Sequence, residues 1–197
     1  MSRRAEYAQA TRAALIAAAQ ELFTSQGYAA TSIEDVVQQA RVTRGALYHH
    51  FTGKADLFLA VFEELEAEIG TKVKSAAAGQ DPWGMLTVGT AAFLDACLDP
   101  PVQQIVLIEA PSVLGWERWR AIEAEHGLGL TRDALKGAMD AGYIEQQPLE
   151  PLAHMLLAAL NECALYIARA EDRTEARKEV GKTLRRVLTD IRAPDNT

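Results

Sequence analysis

An all-α chain is predicted, with a small N-terminal helical unit followed by a larger helical body. Three observations point there. Apolar residues return at intervals of three and four along most of the 197 residues, which is helical spacing. No stretch shows the apolar/polar alternation of a half-buried strand, and there is no internal repeat. Gly27, Pro82, the Pro100–Pro101 pair, Pro148 and Pro151 punctuate the periodic stretches. A chain of this length can bury a sizeable core. The division expected is 1–54 for the small unit and 55–197 for the body.

Met1 to Ala10 is polar and contains Arg3 and Arg4; it reads as a frayed end or as an arm that reaches a phosphate or groove. From Thr11 to Ser25, Leu15, Ala18, Ala19, Leu22 and Phe23 form a helical stripe ended by Gly27. Thr31 is expected to cap the next helix, with Glu34 three residues on completing a capping box, and Ile33, Val36, Val37 and Ala40 give that helix one apolar face. After a short turn, Thr43 is a plausible cap for Arg44 to Phe51. Leu47 and Phe51 would face inward. Thr43, Arg44, Gly45, Tyr48, His49 and His50 are left on other faces, a set of donors, rings and small residues suited to a DNA groove. Two short helices with such a turn fit a helix-turn-helix.

Beyond Lys54, the residues Leu57, Phe58, Val61, Phe62, Leu65 and Ile69 continue a stripe to about Ser75, so one helix should leave the small unit and enter the body. The run Glu63, Glu64, Glu66 and Glu68 reads as its solvated face. A break from Ala76 to Pro82 precedes a helix marked by Leu86, Thr90, Phe93, Leu94 and Cys97. Gln103 to Glu109 begins another, expected to be interrupted at Pro111. Trp116 and Trp119 share a face, as core packing or as the wall of a cavity. Leu128 to Gly142 reads as a helix with Leu130, Ala134, Leu135, Ala138 and Met139 inside. The last two stripes, Leu152 to Ile167 and Val180 to Ile191, predict an antiparallel hairpin in which Ala158, Ala159 and Ala164 allow close approach. The APDNT tail carries no pattern.

The formal charge is −7, which argues against a general polyanion binder. The average conceals a division: residues 1–54 hold six Lys/Arg against four Asp/Glu, +2, so the remainder carries −9. A small basic head on an acidic body suits local DNA binding. Cys97 and Cys163 are the two cysteines. The first apolar run, Ala13 to Ala19, is short and leads into Gln20 and Glu21, and no stretch is read as approaching a membrane span. A cytoplasmic protein with reduced thiols is therefore expected, the two cysteines being buried and inert rather than a redox pair.

The run GYAATSIEDVVQQARVTRGALYHHFTGKADL resembles the DNA-binding domain of the TetR/AcrR family of bacterial transcriptional regulators. The resemblance covers Thr11 to Phe62, and its LYxHFxxKxxL portion is specific. It implies that Thr31 and Ser32 start the second helix and touch phosphates, and that Thr43, Arg44, Gly45 and Ala46 read bases. Tyr48 and His49 would contact phosphate and groove, and Lys54 would bind phosphate. Where family members usually have Gly in the turn, this chain has Arg41, which a left-handed turn would strain. The resemblance also implies that the C-terminal hairpin pairs with its copy as a four-helix dimer interface, and that the body holds a pocket for a small, mainly apolar effector. Trp83, Phe93, Trp116, Trp119 and Met139 are candidates to line it. Asn161 would add polar specificity, or sit in the core or the dimer contact.

Enzymatic signatures are absent: the chain has no Gly-rich phosphate loop, HExxH, CxxC or GxSxG. Adjacent His49 and His50 point about a hundred degrees apart on a helix and are poor co-ligands, so neither metal nor cofactor is expected. The expected function is a ligand-responsive transcriptional regulator, a repressor, bound as a homodimer to a pseudo-palindromic DNA operator. The alternative is a small-molecule binding or carrier protein with a degenerate head, which would not need Arg44, Tyr48 and Lys54 exposed.

Overall fold

The computed structural model describes residues 3–193. The tail beyond Ala193 and the first two residues of the N-terminal stretch lie outside the described residues. Among those described there are nine α-helices and one π-helix, and the extended pairing is an isolated bridge between Ile144 and Arg192. Two compact units emerge: one from the chain up to Leu65 together with Pro100–Trp119, the other from Glu66–Asp99 together with Arg120 onward.

In the first unit α1 (Arg3–Ala30) starts well before the expected Thr11. It buries Leu15, Ile16, Ala19 and Phe23. Gly27, at φ 84° and ψ 163°, kinks it. Then come α2 (Ile33–Gln39), α3 (Arg44–His50) and the start of α4 (Lys54–Ala77). Leu57, Phe58, Val61 and Phe62 of α4 are fully buried. The rings of Phe23, Tyr28 and Phe58 meet pairwise at 5.1 to 5.6 Å, a range in which tilted aromatic pairs are favourable.

The remainder of this unit is the π-helix Val102–Glu109, continued by α6 (Ala110–Val113) and the first turn of α7 (Trp116–Asp140). Pro111 does not interrupt the helix as expected. It sits in the first turn of α6, and the break comes at Gly115, φ 82°. The physical reason lies in the hydrogen-bond ladder. Ala110 N–H donates to Ile105 O, five residues back, so the next bond would run from Pro111, which has no N–H, to Val106 O. The indole Nε1 of fully buried Trp119 donates to that carbonyl instead, at 3.1 Å.

The second unit holds the rest of α4, α5 (Pro82–Ala96), the rest of α7, α8 (Leu149–Arg169) and α9 (Arg173–Asp190). Asp81 caps α5 by accepting from Gly84 N–H. Its core includes Leu86, Leu94, Leu135, Met139, Leu156, Leu160, Leu184 and Leu188. α7 runs unbroken through Gly127 and Gly129 rather than beginning at Leu128. A Cβ at Gly127 would come within 2.9 Å of Leu157 Cδ1, so this glycine lets α7 and α8 approach closely. Helices α8 and α9, joined by three residues, pack together as the predicted hairpin. Contrary to expectation, α8 is long and apolar enough to cross a membrane, but half of that apolar window is buried inside the fold.

Candidate nucleic-acid interface

The entry to α2 is capped one residue later than expected. Ser32 accepts from Asp35 N–H at 3.1 Å, and Asp35 Oδ2 accepts from Ser32 N–H at 2.9 Å. This is a capping box. Donation to the same Asp35 oxygen from the Ser32 hydroxyl, at 2.7 Å, and then from the Ser32 N–H holds the Asp35 carboxyl below its usual range. Thr31 is displaced from the capping role. It is 1 % exposed, and its hydroxyl donates to Gly27 O at 2.8 Å while accepting from Gln26 Nε2 at 3.2 Å. Its hydroxyl therefore secures the end of α1, and Ser32 is the exposed member of the pair.

The turn between α2 and α3 closes on Arg41. Arg41 N–H donates to Gln38 O, Val42 N–H donates to Val37 O, and Arg41 has φ 55°. That is a Schellman closure with arginine in the left-handed position usually given to glycine. The strain anticipated at Arg41 is thus present, and the turn keeps its geometry.

Helix α3 starts at a good cap, Thr43 Oγ1 accepting from Ala46 N–H at 3.1 Å. Leu47 and Phe51 are buried beneath it, whereas Thr43, Arg44, Gly45, Tyr48 and His49 are exposed and Ala46 and His50 are half-buried. Arg44 Nη1 lies 3.3 Å from Glu34 Oε2, and its Nη2 donates to Tyr48 Oη at 3.5 Å, with the guanidinium 5.6 Å from the Tyr48 ring centroid. Tyr48, then Glu34, raise the Arg44 pKa further. Such exposed pairs contribute little stability, so Arg44 is preorganised yet easily released to another acceptor. A Cβ at Gly45 would meet nothing nearer than Thr43 Oγ1 at 3.9 Å. Packing does not require glycine there, although glycine weakens a helix by roughly 1 kcal/mol relative to alanine.

Lys54 opens α4 half-buried. Its Nζ donates to Tyr28 O at 2.8 Å and Thr31 O at 2.9 Å, and lies 4.2 Å from the Tyr28 ring centroid. An ammonium has three donors, so one remains for a phosphate while the other two tie α4 to the end of α1.

The candidate effector residues fall in both units. Trp119 is buried and holds the π-helix; Trp116 is 59 % exposed, its ring 4.8 Å from that of Trp119. Met139 lies in the core of the second unit, and Trp83 and Phe93 pack half-buried against that core. Asn161 is buried, and its Nδ2 donates to Glu123 Oε2 at 2.6 Å.

Two acidic residues escaped sequence reasoning. Glu66, read as part of a solvated run, is 8 % exposed, and Glu123 is 6 % exposed. Burial pushes the Glu66 carboxyl up to about 7 and the Glu123 carboxyl up to about 8, the latter with repulsion from Glu66 added. The signal was positional: Glu66 stands four residues after Phe62 and three before Ile69, and Glu123 four after Trp119, all on buried stripes. Both cysteines are free, Cys97 buried and Cys163 partly so. Burial, reinforced by Glu66 and Glu123, raises the Cys97 thiol far above its usual range.

Residues 15–61 match the family of bacterial regulatory proteins, tetR family, and residues 83–191 match the tetracyclin repressor-like C-terminal domain. A TetR-family transcriptional regulator from Pectobacterium atrosepticum is similar over 98 % of this chain and 99 % of its own, at 30 % identity and a TM-score of 0.86. The Transposon Tn10 TetC protein of Escherichia coli is 29 % identical over 61 % of both chains. The HTH-type transcriptional regulator AcrR of Shigella flexneri is 44 % identical over 32 % of this chain. The chain thus matches 61 % of the length of the first of these two relatives and 29 % of the second. DNA binding and ligand response, without enzymatic activity, characterise such regulators. With one match covering more than half its length and a structural relative covering nearly all of it, the chain belongs to the TetR family of bacterial transcriptional regulators.

Proposed function

We propose that this chain is a repressor that binds a pseudo-palindromic operator as a homodimer and is released by a small, mainly apolar effector. The observation that carries the reading is the exposed start of α3: Arg44 is held only by surface contacts, and Gly45 has no packing reason to be glycine. Thr43 to Ala46 reach base edges from the major groove, with Arg44 on a guanine. Ser32, Tyr48, His49 and the remaining donor of Lys54 position the head on phosphates.

Dimerisation uses the face of the hairpin that the chain leaves open. Met155, Tyr166 and Val187 are 70, 56 and 52 % exposed, and Ala158 and Ala159 between them are also exposed. Such a patch, on a helix apolar enough for a membrane, calls for an apolar partner, and a second copy of the hairpin supplies one through an isologous contact. Its two heads then sit in successive major grooves, about 34 to 36 Å apart. Effector occupancy acts through α4, a single helix that starts at Lys54 and ends in the effector-binding body. A ligand that prefers the mis-spaced state lowers operator affinity. A protein working on chromosomal DNA in this way is cytoplasmic.

Sequencing genomic fragments retained by the full chain tests the proposal. A recovered motif with two-fold symmetry is the expected result; fragments with no shared motif would leave a small-molecule binding protein with a degenerate head.

A further inference from the structure

Glu34, in the first turn of α2, faces Arg44, the first residue of α3. Arg44 Nη1 lies 3.3 Å from Glu34 Oε2 and 3.5 Å from Oε1. On its other side Nη2 donates to Tyr48 Oη at 3.5 Å, and the guanidinium lies 5.6 Å from the Tyr48 ring centroid. The side chains of the ion pair are 60 and 64 % exposed. A carboxylate thus stands on the open surface beside the arginine that begins the recognition helix.

Local structure does not call for this carboxylate. The capping box that opens α2 is completed by Asp35, which also places a negative charge in the first turn, where the helix dipole favours it. An exposed ion pair adds little to stability. On a surface that meets DNA, moreover, a carboxylate repels phosphates and weakens binding to every sequence alike. Glu34 is therefore informative about discrimination rather than about affinity.

A duplex offers an arginine two kinds of acceptor: phosphate oxygens, which carry charge, and base edges such as guanine O6 and N7, which do not. Attraction to phosphate follows net charge, and a positive and a negative charge 3.3 Å apart largely cancel when seen from farther away. Directed bonds to a neutral base edge survive that cancellation. A guanidinium has five N–H donors, so with Glu34 and Tyr48 as partners Arg44 keeps enough for both guanine acceptors. We infer that Glu34 is a positioning residue that turns Arg44 away from phosphates and towards guanine, raising sequence discrimination while lowering overall affinity. This rests on the reading of Arg44 as a base reader. Specificity is a difference of affinities, and a repulsive element widens it.

The test uses the full chain and two probes: a pool of randomised duplexes for binding-site selection, and poly(dI-dC) as DNA without a motif. Glu34→Gln removes the charge and keeps an acceptor for Arg44. It should bind poly(dI-dC) about fivefold more tightly at about 0.1 M salt, with a salt slope steeper by about 0.9 per head, the share of one further phosphate contact. The selected motif should persist while preference for the guanine assigned to Arg44 falls about fivefold, within the range of one bidentate contact. Glu34→Lys should push both changes further in the same direction, and melting curves confirm that both variants fold. A merely structural Glu34 would not raise non-specific affinity. Equal loss of affinity for both kinds of DNA, or an unchanged ratio between them, overturns the inference. So does lost preference at a base pair that Arg44→Ala leaves intact, because Glu34 would then read a base itself. Arg44→Ala also separates this inference from the reading beneath it. Unchanged base preference in Arg44→Ala removes direct readout by Arg44 and the role of Glu34 with it, whereas relaxed preference there beside wild-type preference in Glu34→Gln removes the role of Glu34 alone.

Discussion

Both carboxylate oxygens of Glu109 accept from the backbone N–H of Tyr28, at 2.9 and 3.0 Å, across 81 residues of chain. On the other side of this residue, Tyr28 O accepts from Lys54. The end of α1 is thus held between a carboxylate and an ammonium. A Cβ on neighbouring Gly27 would come within 2.8 Å of Glu109 Oε1, and its φ of 84° also favours glycine. Glu109→Ala should cost about 1 to 3 kcal/mol, in the range for hydrogen bonds to charged groups. Glu109→Gln, which keeps an acceptor, should cost less. Urea denaturation of the three proteins checks the order.

Arg44 and Lys54 should fail differently when truncated. Arg44→Ala removes surface contacts, so stability should hold while operator affinity falls by about 1 to 3 kcal/mol and preference relaxes at one base pair per half-site. Lys54→Ala removes two internal hydrogen bonds, so the melting temperature should drop along with affinity for every sequence and the salt slope. Binding-site selection and melting curves on both variants distinguish the roles. Unchanged base preference in Arg44→Ala would remove it from direct readout.

At the turn, Arg41→Gly should stabilise the fold by about 1 kcal/mol, because the left-handed conformation at φ 55° costs a side-chain-bearing residue about that much more than glycine. A rise in melting temperature is the expected reading. No rise would mean that the arginine side chain compensates its own strain.

Surface charges on the hairpin should separate the dimer from the fold. Met155→Glu combined with Tyr166→Glu should sediment as a folded monomer without operator affinity. Leu160→Glu or Leu184→Glu should unfold the chain, since both side chains are buried within it, at 5 and 7 % exposure. A dimeric Met155/Tyr166 double variant would place the interface elsewhere.

Stability should fall as pH rises from about 5 to about 8.5. Glu66 and Glu123 have folded-state values of about 7 and about 8 against an ordinary 4.5, so the folded chain holds protons that the unfolded chain releases. Their contribution is complete below the ordinary value and is lost as pH passes through the raised ones. Melting temperatures across this window should fall less steeply in Glu66→Gln and Glu123→Gln.

Helix periodicity made the architecture legible, and α3 most of all, because one face of it is buried and the other is not. Periodicity locates a stripe but not what covers it. Leu160 and Leu184 lie on the two apolar stripes assigned to dimer contact and instead face the core, because α8 is apolar on more than one side and the outer side belongs to Met155 and Tyr166. Residue type misled in the opposite sense at Glu66: four acidic residues close together read as one solvated face, although helical geometry places Glu66 with Phe62 and Ile69. The α2 cap slipped by one residue because Thr31/Glu34 and Ser32/Asp35 have the same spacing.

Pro111 leaves one carbonyl without its ladder donor whichever way the preceding helix is wound. In the π register the bare acceptor is Val106 O; in an α register it would be Leu107 O, with Val106 O satisfied by Ala110. By that count the two registers are degenerate. Trp119 breaks the tie, because its indole N–H reaches Val106 O. A single side chain on a separate helix thereby selects between two windings of the backbone that differ by one residue, about 100° of rotation, for the segment ending at Glu109. Trp119→Phe would keep most of the packing and restore the degeneracy.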